Sequence, residues 1–134
     1  VNPFHSGKNI LEVINYFIKN NLDSLITVEE KQVHTNFKNK PLNYNIYEPF
    51  DKTQDLEIVQ PFVYSLMMWS VGTFISHYKK NGYALFSGKF DVFIVDGLLT
   101  IKIKTEEDLL FAGKIMRGIE TSNDSDMLKY DELV

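Results

Sequence analysis

Lys102 and Lys104 are the side chains of this sequence whose type and spacing point most directly to chemistry. They alternate with Ile101 and Ile103 in the run from Leu98 to Ile103, so an extended strand would turn both ammonium groups to one face. The run stops at Thr105, a good N-cap, and Asp108 three residues later completes a variant of the capping box. Leu109, Ala112, Gly113 and Met116 then follow at helical spacing. A strand that ends at a helix cap matters because ligands of open α/β sheets bind outside the carboxyl ends of strands. Two readings stand side by side: a solvated strand face, or an ammonium group that contacts a phosphate or carboxylate.

Two further places offer binding chemistry. Asn2 and His5 lie at a strand-to-helix turn, where a helix N-terminus favours anions. The plainer reading makes Ser6 a cap and leaves His5 exposed. Lys52 and Gln54 sit in a loop ahead of an apolar run, which by itself reads as a surface loop. His34 and His77 read as surface residues, and no His-x-x-x-His or other metal spacing occurs. Asp51, Asp55 and Glu57 read as solvated loop carboxylates, and Asp96 as a turn residue near the crevice. There is no Gly-x-Ser-x-Gly elbow.

Composition narrows the partners. The net charge is −4 and Arg117 is the only arginine, which argues against a nucleic-acid face and removes the bidentate phosphate clamp. Phosphate would have to be held by lysine, backbone amides or a metal. The absence of cysteine excludes disulfides and thiolate metal sites, in keeping with a cytoplasmic protein. No apolar run reaches the length of a membrane helix, so no membrane partner is expected. Hydrophobic residues make up 44% of the 134, enough for one folded domain with a real core.

The elements that must position these residues follow from periodicity. Ser6 caps a helix whose apolar face is Ile10, Leu11, Ile14, Phe17 and Ile18, closed by Asn20-Asn21. Ser24 to Val28 is a short strand. Val33, Thr35 and Phe37 alternate with polar residues, Asn39-Lys40-Pro41 turns, and Leu42 to Tyr44 returns, giving an arm over about residues 29–50. Phe62 to Trp69 is a continuous apolar run, suited to a strand covered on both faces, with Met67, Met68 and Trp69 in the core. A helix starting at Ser70 or Thr73 closes at Asn81-Gly82. Asp91 to Val95 is a strand, Asp96-Gly97 a turn, and the last helix runs from about 106 to 119 before a polar tail over 120–134. The fold class expected is α/β, with residues 1–119 as its body.

In order along the chain, several blocks resemble acylneuraminate cytidylyltransferases, the CMP-sialic acid synthetases. Asn2-Pro3-Phe4 with its amphipathic helix is similar to the family's "(T/S)-P-(L/F)-R" step. Asp23 to Val28 is similar to its "D-S-(V/L)-(V/F)-(S/T)-V" strand. Lys40 to Tyr44 and Lys52 to Leu56 resemble "G-K-P-(I/L)-N" and "R-T-Q-D-L", and Ile101 to Leu109 resembles "I-D-I-D-T-(E/P)-(E/L)-D-(F/L)". The resemblance covers the C-terminal portion of such an enzyme. It implies an incomplete Rossmann-like nucleotidyltransferase fold, without the first strand and phosphate loop, and with a projecting β arm. It implies cytidylyl transfer from CTP to the anomeric hydroxyl of a nonulosonic, sialic-like acid sugar, with pyrophosphate released and Mg²⁺ required. It also implies a homodimer, with the arm near Gln32 to Tyr44 completing the neighbour's sugar site.

Departures from the family pattern fall on its chemistry. The two aspartates that the family supplies to the metal align with Lys102 and Lys104, and an ammonium cannot ligate Mg²⁺, which demands oxygen donors. His5 and Lys52 stand where the family has arginines. The substrate-binding set implied is Asn2, His5, Lys52, Gln54, Lys102 and Lys104, with one ammonium standing in for metal charge. Because the chain opens at Val1 without methionine or phosphate loop, it reads as a fragment or degenerate form, inactive alone. The alternative reading is a non-catalytic α/β binding or dimerisation module.

Overall fold

A computed structural model describes residues 2–50 and 52–121. Its centre is strand β1 (Ser24–Val28), every residue of which is buried. Helix α1 (Gly7–Lys19) leads into it and begins with a complete capping box between Ser6 and Asn9. A two-residue hairpin, β2 (Asn36–Phe37) and β3 (Lys40–Pro41), forms the arm. Strand β4 (Phe62–Trp69), helix α2 (Val71–Asn81), strand β5 (Phe90–Ile94) and helix α3 (Glu106–Thr121) complete the order. The main sheet runs β4-β1-β5, with β4 antiparallel and β5 parallel to β1. Among the described residues it is a small mixed sheet with three α-helices, an α/β arrangement.

Several local signals hold. Gly82 takes the left-handed conformation at the end of α2, φ 77°, where a Cβ would be strained. Thr105 and Asp108 form the expected box: Asp108 N donates to Thr105 Oγ1 (3.1 Å), and the amides of Lys104 and Thr105 donate to Asp108 Oδ2 (2.9 Å each). Those amide bonds hold the Asp108 carboxyl below its ordinary range.

Other expectations are corrected by tertiary contacts. Leu98–Ile103 is not a strand. Gly97, at φ 50°, curls the chain into a 3-10 turn over Gly97–Thr100, and Ile101 after it is extended. Asn2 Nδ2 donates to Leu99 O (2.7 Å) and Leu98 O (3.3 Å), so those carbonyls are taken up by a side chain far away in sequence. Strand β4 lies at one side of the described sheet rather than between two covered faces, and Met67 is 40% exposed. Met68 packs on the core, and Trp69 is half-buried with Nε1 on Leu85 O (2.9 Å).

Helix α1 keeps part of the face its periodicity suggests, Ile14 and Phe17, but is rotated so that Val13 is its buried residue. Val13, Leu22 and Leu25 form the core cluster, with Tyr16, Phe17, Leu66, Met68 and Phe93 packed on it. Leu11 and Ile18 remain exposed. Tyr16 is drawn in because its hydroxyl donates to Asp91 Oδ2 (2.8 Å) while its ring meets Phe93 edge-on. The arm turns at Lys38-Asn39, both at positive φ, one residue before the expected Asn39-Lys40-Pro41. His34 is half-buried rather than a surface residue, stacked on Phe50 at 4.1 Å and edge-on to Tyr44. Helix α3 includes Glu120 and Thr121, and the rest of the expected tail lies outside the described residues, as do Val1 and Asp51.

Candidate anion site at the β4 bulge

The site begins with a break in register. Ile26 pairs with Met67 and Val28 with Phe62, so the single residue Thr27 faces four residues of β4, Val63 to Leu66. The excess backbone bulges outward. Thr27, fully buried, closes the bulge from below. Its Oγ1 donates to Leu66 O (3.1 Å), accepts from Leu66 N (3.1 Å) and shares a hydrogen bond with Ser65 Oγ (3.0 Å). At the crest Tyr64 is held at φ 53°, a left-handed conformation that costs a bulky residue energy and clusters at ligand clamps.

The bulge forms one wall of an open cavity of about 250 Å³, lined by Asn2, Tyr64, Ser65, Lys102 and Lys104. The 3-10 turn and the segment after it bring the two lysines there. Lys102 Nζ lies 5.0 Å from the Tyr64 ring centroid, a cation–π contact, and makes a long hydrogen bond to Phe62 O (3.4 Å). Partial burial lowers the Lys102 pKa, the charge of Lys104 lowers it further, and Glu29 opposes both. Glu29 itself is ion-paired with Lys31 at 3.0 Å. Among the described residues no carboxylate lines the cavity and neither lysine forms a close ion pair, although Asp108 and Glu29 act on Lys104 and Lys102 from farther off. Two cations facing one polar cavity favour an anionic occupant.

Of the residues singled out from sequence, Asn2, Lys102 and Lys104 come together here. Asn2 is committed to structure: besides its two carbonyl contacts, its Oδ1 accepts from Phe4 N (2.8 Å). It therefore ties the start of the chain to the turn that presents the lysines. His5 lines a different cavity with Asn9, Glu12, Asp96 and Leu99. It is half-buried rather than exposed, its ring nitrogens are buried without a partner, and burial lowers its pKa. Lys52 and Gln54 are exposed and do not line the lysine cavity; the Gln54 carbonyl accepts from Gln32 Nε2 (2.8 Å).

Tyr64 and Ser65 were missed by sequence reasoning. Their signal was the polar pair interrupting the apolar run from Phe62 to Trp69. Mg²⁺ does not fit this arrangement. Lys102 and Lys104 offer no lone pair as ammonium groups, and among the described residues no cluster of three His, Asp or Glu side chains could hold a metal ion. No protein-family model matches the chain, and no curated protein matches it.

Proposed function

We propose that this chain is cytidylyltransferase-like and handles nonulosonic acid sugars, and that the bulge cavity holds the anionic group of its substrate. The observation that carries this reading is the pair of ammonium groups, Lys102 and Lys104, on one cavity that no carboxylate among the described residues lines and where neither forms a close ion pair. The ordered family blocks and the mixed α/β sheet support it. In this reading the lysines bind and orient an acid sugar. Ammonium groups in place of metal-binding carboxylates leave nucleotidyl transfer without its Mg²⁺.

The test is direct. The chain incubated with CTP, N-acetylneuraminate and Mg²⁺ releases no pyrophosphate. Titration with N-acetylneuraminate shifts the backbone NMR signals of Tyr64, Ser65, Lys102 and Lys104 ahead of those of the arm. Pyrophosphate release, or shifts that avoid the cavity, would overturn the reading.

A second reading, a dimerisation module, has its own support in the arm. Phe37, Leu42, Ile46 and Tyr47 are all more than half exposed, Tyr47 at 90%. Apolar surface gathered on a small projection favours a protein contact. Light scattering is expected to give twice the monomer mass, and Phe37→Asp with Leu42→Asp together to return it to monomer. A monomer in the unaltered chain removes this reading without touching the cavity.

A further inference from the structure

We propose that the bulge cavity recognises a ring-bearing organic anion without a metal ion, Lys102 and Lys104 neutralising its charged group while Tyr64 packs against its ring. The inference rests on the reading of the cavity as a substrate site, and deepens it by naming the ligand's shape and the residue that selects it.

Three observations carry it. First, the lining supplies positive charge from side chains alone, so a carboxylate or phosphate needs no bridging cation there. Second, the contacts that hold Lys102 are weak ones. A ring face at 5.0 Å and a carbonyl at 3.4 Å keep the ammonium at the cavity without satisfying it as a carboxylate would. An incoming anion therefore gains a charge-assisted hydrogen bond and breaks no ion pair. Third, Tyr64 is a half-exposed aromatic at positive φ beside those charges. Burial does not explain its position, because half its surface remains open. Its ring is braced edge-on by Phe62 at 5.6 Å, and Phe62 in turn adjoins Phe86 and Phe90. A fixed aromatic wall next to two cations matches a ligand that carries an anionic group on a ring, such as a carboxylated pyranose or a nucleoside phosphate. Those two share the chemistry and differ in which ring meets Tyr64.

The full chain is titrated, by NMR, with N-acetylneuraminate, CMP and acetate, each in EDTA and again with Mg²⁺. At least one ring-bearing anion is expected to bind about tenfold or more tightly than acetate, with the same affinity in both buffers. The stronger of the two identifies the ring. Lys102→Gln is expected to weaken all three about tenfold. Tyr64→Gly removes the ring and relaxes the positive-φ strain, so the fold is retained. It is expected to weaken the ring-bearing anions five- to tenfold and leave acetate unchanged.

Equal binding of acetate and ring-bearing anions, a Mg²⁺ requirement, or a Tyr64→Gly variant that affects all three alike would overturn this inference while leaving an anion site in place. Failure of every anion to bind would overturn the substrate-site reading as well.

Discussion

Gly88→Ala is expected to cost about 3 kcal/mol of folding stability, a large share of the 5–15 kcal/mol typical of a domain. Gly88 sits at φ 65°, and a Cβ there would fall 2.3 Å from Asp23 Oδ2 and 2.4 Å from Asp23 Cβ. The obstacle is not the far end of a flexible side chain. Asp23 is pinned by Thr73 Oγ1, which donates to Oδ1 (2.6 Å), and by Lys89 N, which donates to Oδ2 (2.9 Å). Those bonds hold its carboxyl below the usual range. The Asp23 backbone adds two more ties, its N–H donating to Lys89 O (2.8 Å) and its carbonyl accepting from Ser70 N (2.8 Å). The start of β1, the first turn of α2 and the entry to β5 therefore meet at one residue, and an alanine at 88 pushes into all of them.

Gly82→Ala provides the control. Gly82 is also left-handed, φ 77°, but nothing lies within 4 Å of its added Cβ. It should lose only the strain, about 1 kcal/mol. Urea denaturation of both variants separates overlap from strain. If Gly88→Ala unfolds no earlier than Gly82→Ala, the crowded junction described at Asp23 is wrong.

That junction also shows what local sequence can and cannot reveal. Helix ends are written in neighbouring residues: Ser6 with Asn9, Asn81-Gly82, and Thr105 with Asp108. β1 was legible too, because a short β-branched run buried on both faces carries its own signature. Register is different. The apolar run from Phe62 to Trp69 does not say where it slips, since the slip is fixed by Thr27 on another strand. Tyr64 adopts positive φ without being Gly or Asn, so no residue type announced it. Alternation at Leu98–Ile103 suggested a strand because the bonds that prevent one come from Asn2. The candidate site was readable to the same extent. Its lysines stood out by charge and spacing, whereas the wall that faces them exists only after β1 and β4 pair.

Thr27→Val is the second large effect expected, and it joins stability to the site. The substitution keeps the shape of a fully buried side chain and removes only its hydroxyl. Leu66 N then loses its acceptor and Leu66 O a donor, both previously served by Thr27 Oγ1 at 3.1 Å. Ser65 Oγ loses its neighbour at 3.0 Å. A buried polar group left unsatisfied costs about 1–3 kcal/mol. Because valine fills the space but cannot satisfy Leu66, the net loss expected is about 2–3 kcal/mol. Thr27→Ser keeps the hydroxyl and gives up a methyl group, and should cost about 1 kcal/mol, mostly by packing.

The two variants should also part in binding. Thr27→Val releases the bulge that sets Tyr64 and Ser65, so affinity for the ring-bearing anion should fall about tenfold, while Thr27→Ser stays near the parent protein. Denaturation midpoints and NMR titrations on the same samples check both halves. A valine variant that unfolds with the parent protein and binds as tightly would mean the bulge is held by something other than Thr27. Equal losses in the valine and serine variants would mean that packing, and not the hydroxyl, shapes the cavity wall.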